Sequence, residues 1–182
     1  MSVIKGESVF GVLPISTTIE AIVISTAVAV VAIIVTLIGI AVSRAASTKT
    51  FTIQTIITAE SDKELLDAQA AFNTCAKAGN IAQYAEAHQH ASNQSEQIRR
   101  TLNHLELLAI GVHTGALNFS IFKRWYENGL IHQWEQAESF VVQLRSVTGR
   151  KELYRDLELL YNILIGRQRR PVWLKRHLSR WF

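Results

Sequence analysis

The chain has one cysteine, Cys75, among 182 residues, so no intrachain disulfide can form. That suits a reducing compartment. Cys75 sits in a helical stretch beside alanines, and a small packed side chain explains it more simply than a reactive thiol does. Catalytic signatures are also missing: HExxH, GxSxG, GxxxxGK[ST] and GxGxxG do not occur. A Ser-His-Asp arrangement assembled by the fold stays open. The six histidines offer no metal-ligand spacing. His88 and His90 would point about 200° apart on a helix. His104 and His113 would lie on opposite faces. No cofactor or metal is expected. The third absence is charge: none occurs from Ala21 to Val42, a run of 22 residues.

The formal net charge is +4, but it is localised. Arg167, Arg169, Arg170, Lys175, Arg176 and Arg180 supply six positive charges after Gly166 with no acid among them, leaving −2 for the rest. A nucleic-acid-binding domain would spread basic residues over a face of its fold, so nucleic acid is disfavoured as a partner.

A helix over the charge-free run is roughly 33 Å long, enough to cross a bilayer core. A cleaved signal peptide fits less well. Lys5, Glu7 and Glu20 give the head a net −1 instead of a basic start, and the apolar run is longer than a typical signal core. Arg44 and Lys49 follow the run, with no acid before Glu60. The positive side faces the cytoplasm, which puts the head outside and residues 43–182 in the cytosol. The expected organisation is a head over 1–20, a transmembrane helix over 21–43, a helical cytosolic domain over 44–165 and a basic aromatic tail over 166–182. The fold class is all-α: one N-terminal transmembrane helix, then a helical bundle.

Within the span, Ala21, Ser25, Ala29, Ala32, Thr36, Gly39 and Ser43 recur at steps of four or three. Small residues at that spacing let two helix backbones approach closely in lipid, where apolar burial gives no drive, and suit a left-handed crossing. Self-association is one reading. The other is that small residues, common in any span, fall into register by chance.

Beyond the span the pattern is helical nearly throughout. Phe51, Ile53, Ile56 and Ile57 fit a continuing helix about as well as a strand. Ser61 and Glu64 read as a capping box opening a helix that stops at Gly79-Asn80. Residues 81–92 read as a short helix and a loop. Ile98, Leu102, Leu105, Ala109 and Val112 mark a central helix, with Leu107, Leu108 and Ile110 covering much of its remaining circumference. Such a helix is expected to be buried on several sides. Gly115 ends it and Asn118 caps the next. That helix carries Phe119, Ile121, Phe122, Trp125, Leu130, Ile131 and Trp134, with a bend expected near Asn128-Gly129. Leu153, Leu157, Leu160, Tyr161 and Leu164 form a last core helix, and Pro171 opens a short terminal one.

Leu102-Asn103, Glu106, Ala109-Ile110-Gly111-Val112 and Gly115-x-Leu117 resemble the signature of a bacterial family, domain of unknown function 4760. Trp125, Trp134, Phe140 and Arg145 are similar as well. The resemblance covers most of residues 44–165. It implies a short N-terminal membrane span followed by an all-helical cytosolic domain, and no known activity.

Two polar features stand out. Asn103 and Glu106 share a face of a largely buried helix, where a carboxylate must be paired or lose its charge. Either Glu106 is a site carboxylate, or it is an ion-pair or helix-cap partner fixing two helices; Arg99, Arg124 and Arg145 are candidate partners. In the tail, Trp173 and Trp181 interleave with Arg167, Arg169, Arg170, Lys175, Arg176 and Arg180. This suits a helix lying on anionic lipid, packing back onto the domain, or docking to a protein partner. The favoured function is a membrane-anchored interaction or scaffold protein, in contact with the lipid bilayer and forming a homo-oligomer. A bacterial or prophage-borne membrane effector or exclusion factor is one alternative, and an enzyme with a site around Glu106 is another.

Overall fold

The computed structural model describes residues 15–86 and 91–166, with side chains from residue 23 onward. Five α-helices are found among them: α1 (Ile15–Ser61), α2 (Lys63–Lys77), α3 (Asn93–His113), α4 (Phe119–Thr148) and α5 (Arg155–Leu164). A 3-10 turn, Ile81–Ala85, lies between α2 and α3. No strand occurs among the described residues. The chain divides into two compact units, Met1–Arg44 and Ala45–Phe182.

In the first unit, α1 is apolar and its described side chains are exposed almost throughout, including Val28, Ile33, Val35 and Leu37. This helix is long and apolar enough to cross a membrane. Ser25, Ala29, Ala32, Thr36, Gly39 and Ser43 are exposed too. The Thr36 hydroxyl is satisfied within the helix, donating to the Ala32 carbonyl at 2.8 Å.

In the second unit, residues 49–58 are helical, which decides between the two readings of that stretch. Thr52, Ile56 and Ala59 are its buried face. Thr52 is 1% exposed. Its hydroxyl donates to the Thr48 carbonyl at 2.7 Å and accepts the Asn118 amide at 2.8 Å. An otherwise orphan amide just before α4 is thereby satisfied.

The expected capping box is shifted by one residue. Asp62 caps α2, accepting the Leu65 amide at 3.1 Å. Ser61 instead closes α1, its hydroxyl turned back to the Ile57 carbonyl at 2.8 Å. Glu64 pairs with Arg100 of α3. A carboxylate beside a hydroxyl competes for the same orphan amides, and here the carboxylate takes them.

The core is aromatic and aliphatic: Phe72, Phe122, Phe140, Leu102, Leu130 and Leu157 are fully buried. Each such side chain contributes about 1.5–3 kcal/mol by leaving water. α3 packs on α2 and α5, and α4 packs on the 3-10 turn and α5. The spacing expected to face inward on α3 does so, since Ile98, Leu102, Leu105, Ala109 and Val112 are all buried. Burial all round does not follow: Leu107 is 66% exposed and Ile110 40%. Leu107 and Ile110 lie on the part of α3 that its neighbours leave open. α4 stays helical through Asn128-Gly129, since one glycine costs a helix interior only about 1 kcal/mol. Gly149 closes α4 in the left-handed conformation, φ +69°. His88, His90, Pro171 and the whole basic tail lie outside the described residues.

Candidate functional site

Asn103, Glu106 and His113 converge on one place, the start of α5. Asn103, Glu106 and His113 stand three and seven residues apart, so they form one stripe along α3. Opposite them, Tyr154 precedes α5 in the left-handed region, φ 57°, an uncommon conformation for a bulky residue. Tyr154 is the N-cap residue, and its side chain offers no cap to its own helix. The orphan amides at the start of α5 therefore need an acceptor from elsewhere.

Glu106 supplies it. One carboxylate oxygen accepts the Leu157 amide at 2.7 Å and the other the Asp156 amide at 3.2 Å. These are the positions an N-cap side chain normally serves, and a negative charge there is also favoured by the helix dipole. Burial raises the Glu106 pKa, while the two amide bonds pull it back down.

The neighbours complete a clasp. Tyr154 is 6% exposed, and its hydroxyl donates to the Asn103 side-chain carbonyl at 3.1 Å. Burial pushes the Tyr154 pKa up to about 12. His113 Nδ1 lies 2.7 Å from Asp156 Oδ1. Arg145 reaches in from α4, donating to the Leu153 carbonyl through Nε at 2.9 Å and Nη2 at 2.6 Å, and to Glu158 at 2.8 Å. Arg145 thus serves the start of α5 from the other side, without pairing with Glu106. Arg124 lies elsewhere, in a groove beside α1.

The same stretch holds its glycines for steric reasons. A Cβ on Gly111 would sit 2.8 Å from Leu117 Cδ1 and 2.9 Å from its Cγ. The chain turns back at Gly115, φ +75°, and the Leu117 amide bonds the Gly111 carbonyl at 2.8 Å. Leu117 can fold over α3 only because position 111 has no side chain.

A cleft of about 380 Å³ lies on another side of α3, where His104, Asp62, Gln54 and Phe51 are among its lining residues. His104 Nε2 is buried without a hydrogen-bond partner. Burial lowers the His104 pKa, against the pull of Asp62 and Glu60. Among the described residues no three His, Cys, Asp or Glu side chains converge as metal ligands.

Asn103 and Glu106 are visible from sequence as a pair sharing a face. Tyr154, Asp156 and His113 are not, because nothing in their local sequence marks them as partners across 43 to 51 residues. The span residues Ser25, Ala29, Ala32, Thr36, Gly39 and Ser43 lie on α1 and have no part in the clasp. Of Ala21 only the helical backbone is described.

The molecule is therefore an all-helical protein that has, among the described residues, one helix of membrane-crossing length and a helical unit whose α5 is capped in trans. A family model described as a domain of unknown function (DUF4760) matches residues 26–164, and the chain belongs to that family. No curated protein matches it, and no solved structure does.

Proposed function

We propose that this chain is a single-pass protein of the bacterial inner membrane that acts by placement and assembly, as a self-associating interaction or scaffold protein. The observation that carries the reading is an apolar helix with its span side chains exposed, preceding a helical unit whose motif pair Asn103 and Glu106 is spent on holding Tyr154 and α5. Exposed Val, Ile and Leu over the length of a bilayer core are stable only against lipid or another helix. The small-residue stripe gives a second copy a close approach. The Glu106 carboxylate, with both oxygens engaged by amides, is used as a helix cap and not as an acid or base.

In this reading Arg44 and Lys49 hold the following residues in the cytosol, and the head lies outside. The basic tail then meets the cytoplasmic leaflet or a protein partner. The topology is tested in intact cells with Cys75→Ser chains carrying one new cysteine. An impermeant maleimide added outside should label Ser2→Cys and leave Arg150→Cys unlabelled. The reverse pattern would overturn the orientation, and recovery of the chain in the soluble fraction would overturn the anchor.

A further inference from the structure

Ile53, Ile57 and Glu60 of α1 and Ile121, Arg124 and Trp125 of α4 line an open groove of about 580 Å³. All six belong to the second unit. Its apolar side chains are uncovered: Ile53 is 48% exposed, Ile57 59% and Trp125 60%. Ile53, Ile57 and Trp125 thus present apolar surface between two charged side chains, Glu60 and Arg124. The two rim charges have opposite signs and neither is used strongly. Arg124 takes no part in the ion pairs of the described residues. Glu60 accepts one long hydrogen bond, from Trp125 Nε1 at 3.4 Å.

That charge pattern selects among occupants. The tail carries six basic residues and no acid, and would bring positive charge against Arg124. An anionic lipid headgroup would meet Glu60. A second copy of the groove matches both. In a two-fold contact residue i meets j while j meets i, so Glu60 of each copy faces Arg124 of the other.

We infer that this groove is a self-complementary dimer face, with Ile53, Ile57 and Trp125 as its apolar centre and reciprocal Glu60–Arg124 pairs at its rim. It rests on the self-association proposed above and names the surface outside the span that takes part. Copies anchored in one bilayer share an orientation and a high effective concentration, so a modest face suffices.

The test uses full-length chains carrying donor or acceptor dyes in vesicles of phosphatidylethanolamine and phosphatidylglycerol. Energy transfer is followed as protein is diluted in lipid. Wild type should transfer. Glu60→Arg alone and Arg124→Glu alone should each weaken self-association about tenfold, because both rim contacts become like-charged. Mixing the Glu60→Arg chain with the Arg124→Glu chain should restore transfer between them, since each contact again joins opposite charges. An ion pair within one chain cannot be rescued by mixing, and rescue also shows that both variants are folded. Singles that associate like wild type, or a mixture that stays apart, would overturn the groove as an interface while leaving association through the span in place. A wild type that shows no transfer would remove both.

Discussion

The Glu106 carboxylate receives the Leu157 backbone amide at 2.7 Å, across 51 residues of sequence. A helix whose own N-cap position holds Tyr154 borrows its cap from another helix, and that cap adds to the burial of Leu157, Leu160 and Ile163 in placing α5. Replacing Glu106 with Gln keeps one acceptor but loses the charge at the helix start. We expect a loss of about 1–2 kcal/mol with the helical content retained. Thermal unfolding by circular dichroism checks it; an unchanged midpoint would mean that the cap carries no stability.

Tyr154 and Asn103 should behave as a coupled pair. Tyr154→Phe and Asn103→Ala should each cost about 1 kcal/mol, and the double variant should cost less than the sum, because both remove the same hydrogen bond. Denaturant unfolding of the four chains gives the coupling directly. Strict additivity would show that the 3.1 Å contact contributes nothing.

Gly111→Ala sets two effects against each other. Alanine is the better helix former by about 1 kcal/mol. Its methyl would meet Leu117 Cδ1 at 2.8 Å, and overpacking a filled site costs about 1–3 kcal/mol. Leu117 is 6% exposed and has little room to retreat, so the net effect should be destabilising. The companion change Leu117→Ala in the same chain should recover part of the loss that Gly111→Ala causes. A stabilised Gly111→Ala chain would contradict the close approach.

Stability should depend on pH through His104. Burial lowers its pKa below the ordinary histidine value of 6.5, so the folded chain holds that proton more weakly than the unfolded one. The contribution is complete above the unfolded value and is lost as pH falls from 6.5 toward the lowered folded value. Between about pH 7.5 and about pH 5.5 the wild-type chain should lose more stability than the His104→Gln chain, as urea midpoints would show. Equal losses would mean that His104 titrates as if free.

Much of this architecture is legible in the residues. The charge-free run gives the apolar helix, and Ile98, Leu102, Leu105, Ala109 and Val112 give the inward face of α3. Asn118 caps α4 at Ile121, as its type and position suggest. These features are local, and local spacing encodes them. Leu107 shows where that stops. Its apolarity suggests burial, yet a helix is covered only where partners exist, and those of α3 leave it 66% exposed. Ser61 and Asp62 are both good caps, and only the chain's path at the start of α2 chooses between them. The clasp is half legible for the same reason: Asn103 and Glu106 are recognisable as a pair on one face, but their partners are set by the packing of α5 against α3.

Assembly within the membrane is tested most directly by the oligomeric state of the full-length chain in mild detergent, beside Ala32→Leu/Gly39→Leu. Nothing lies within 4 Å of the Gly39 Cβ position, so leucine there is accommodated in a single copy and should act on association alone. Sedimentation should show an oligomer for wild type and a shift toward monomer for the double variant. A wild-type chain that sediments as a monomer, or an oligomer indifferent to both leucines, would contradict the account.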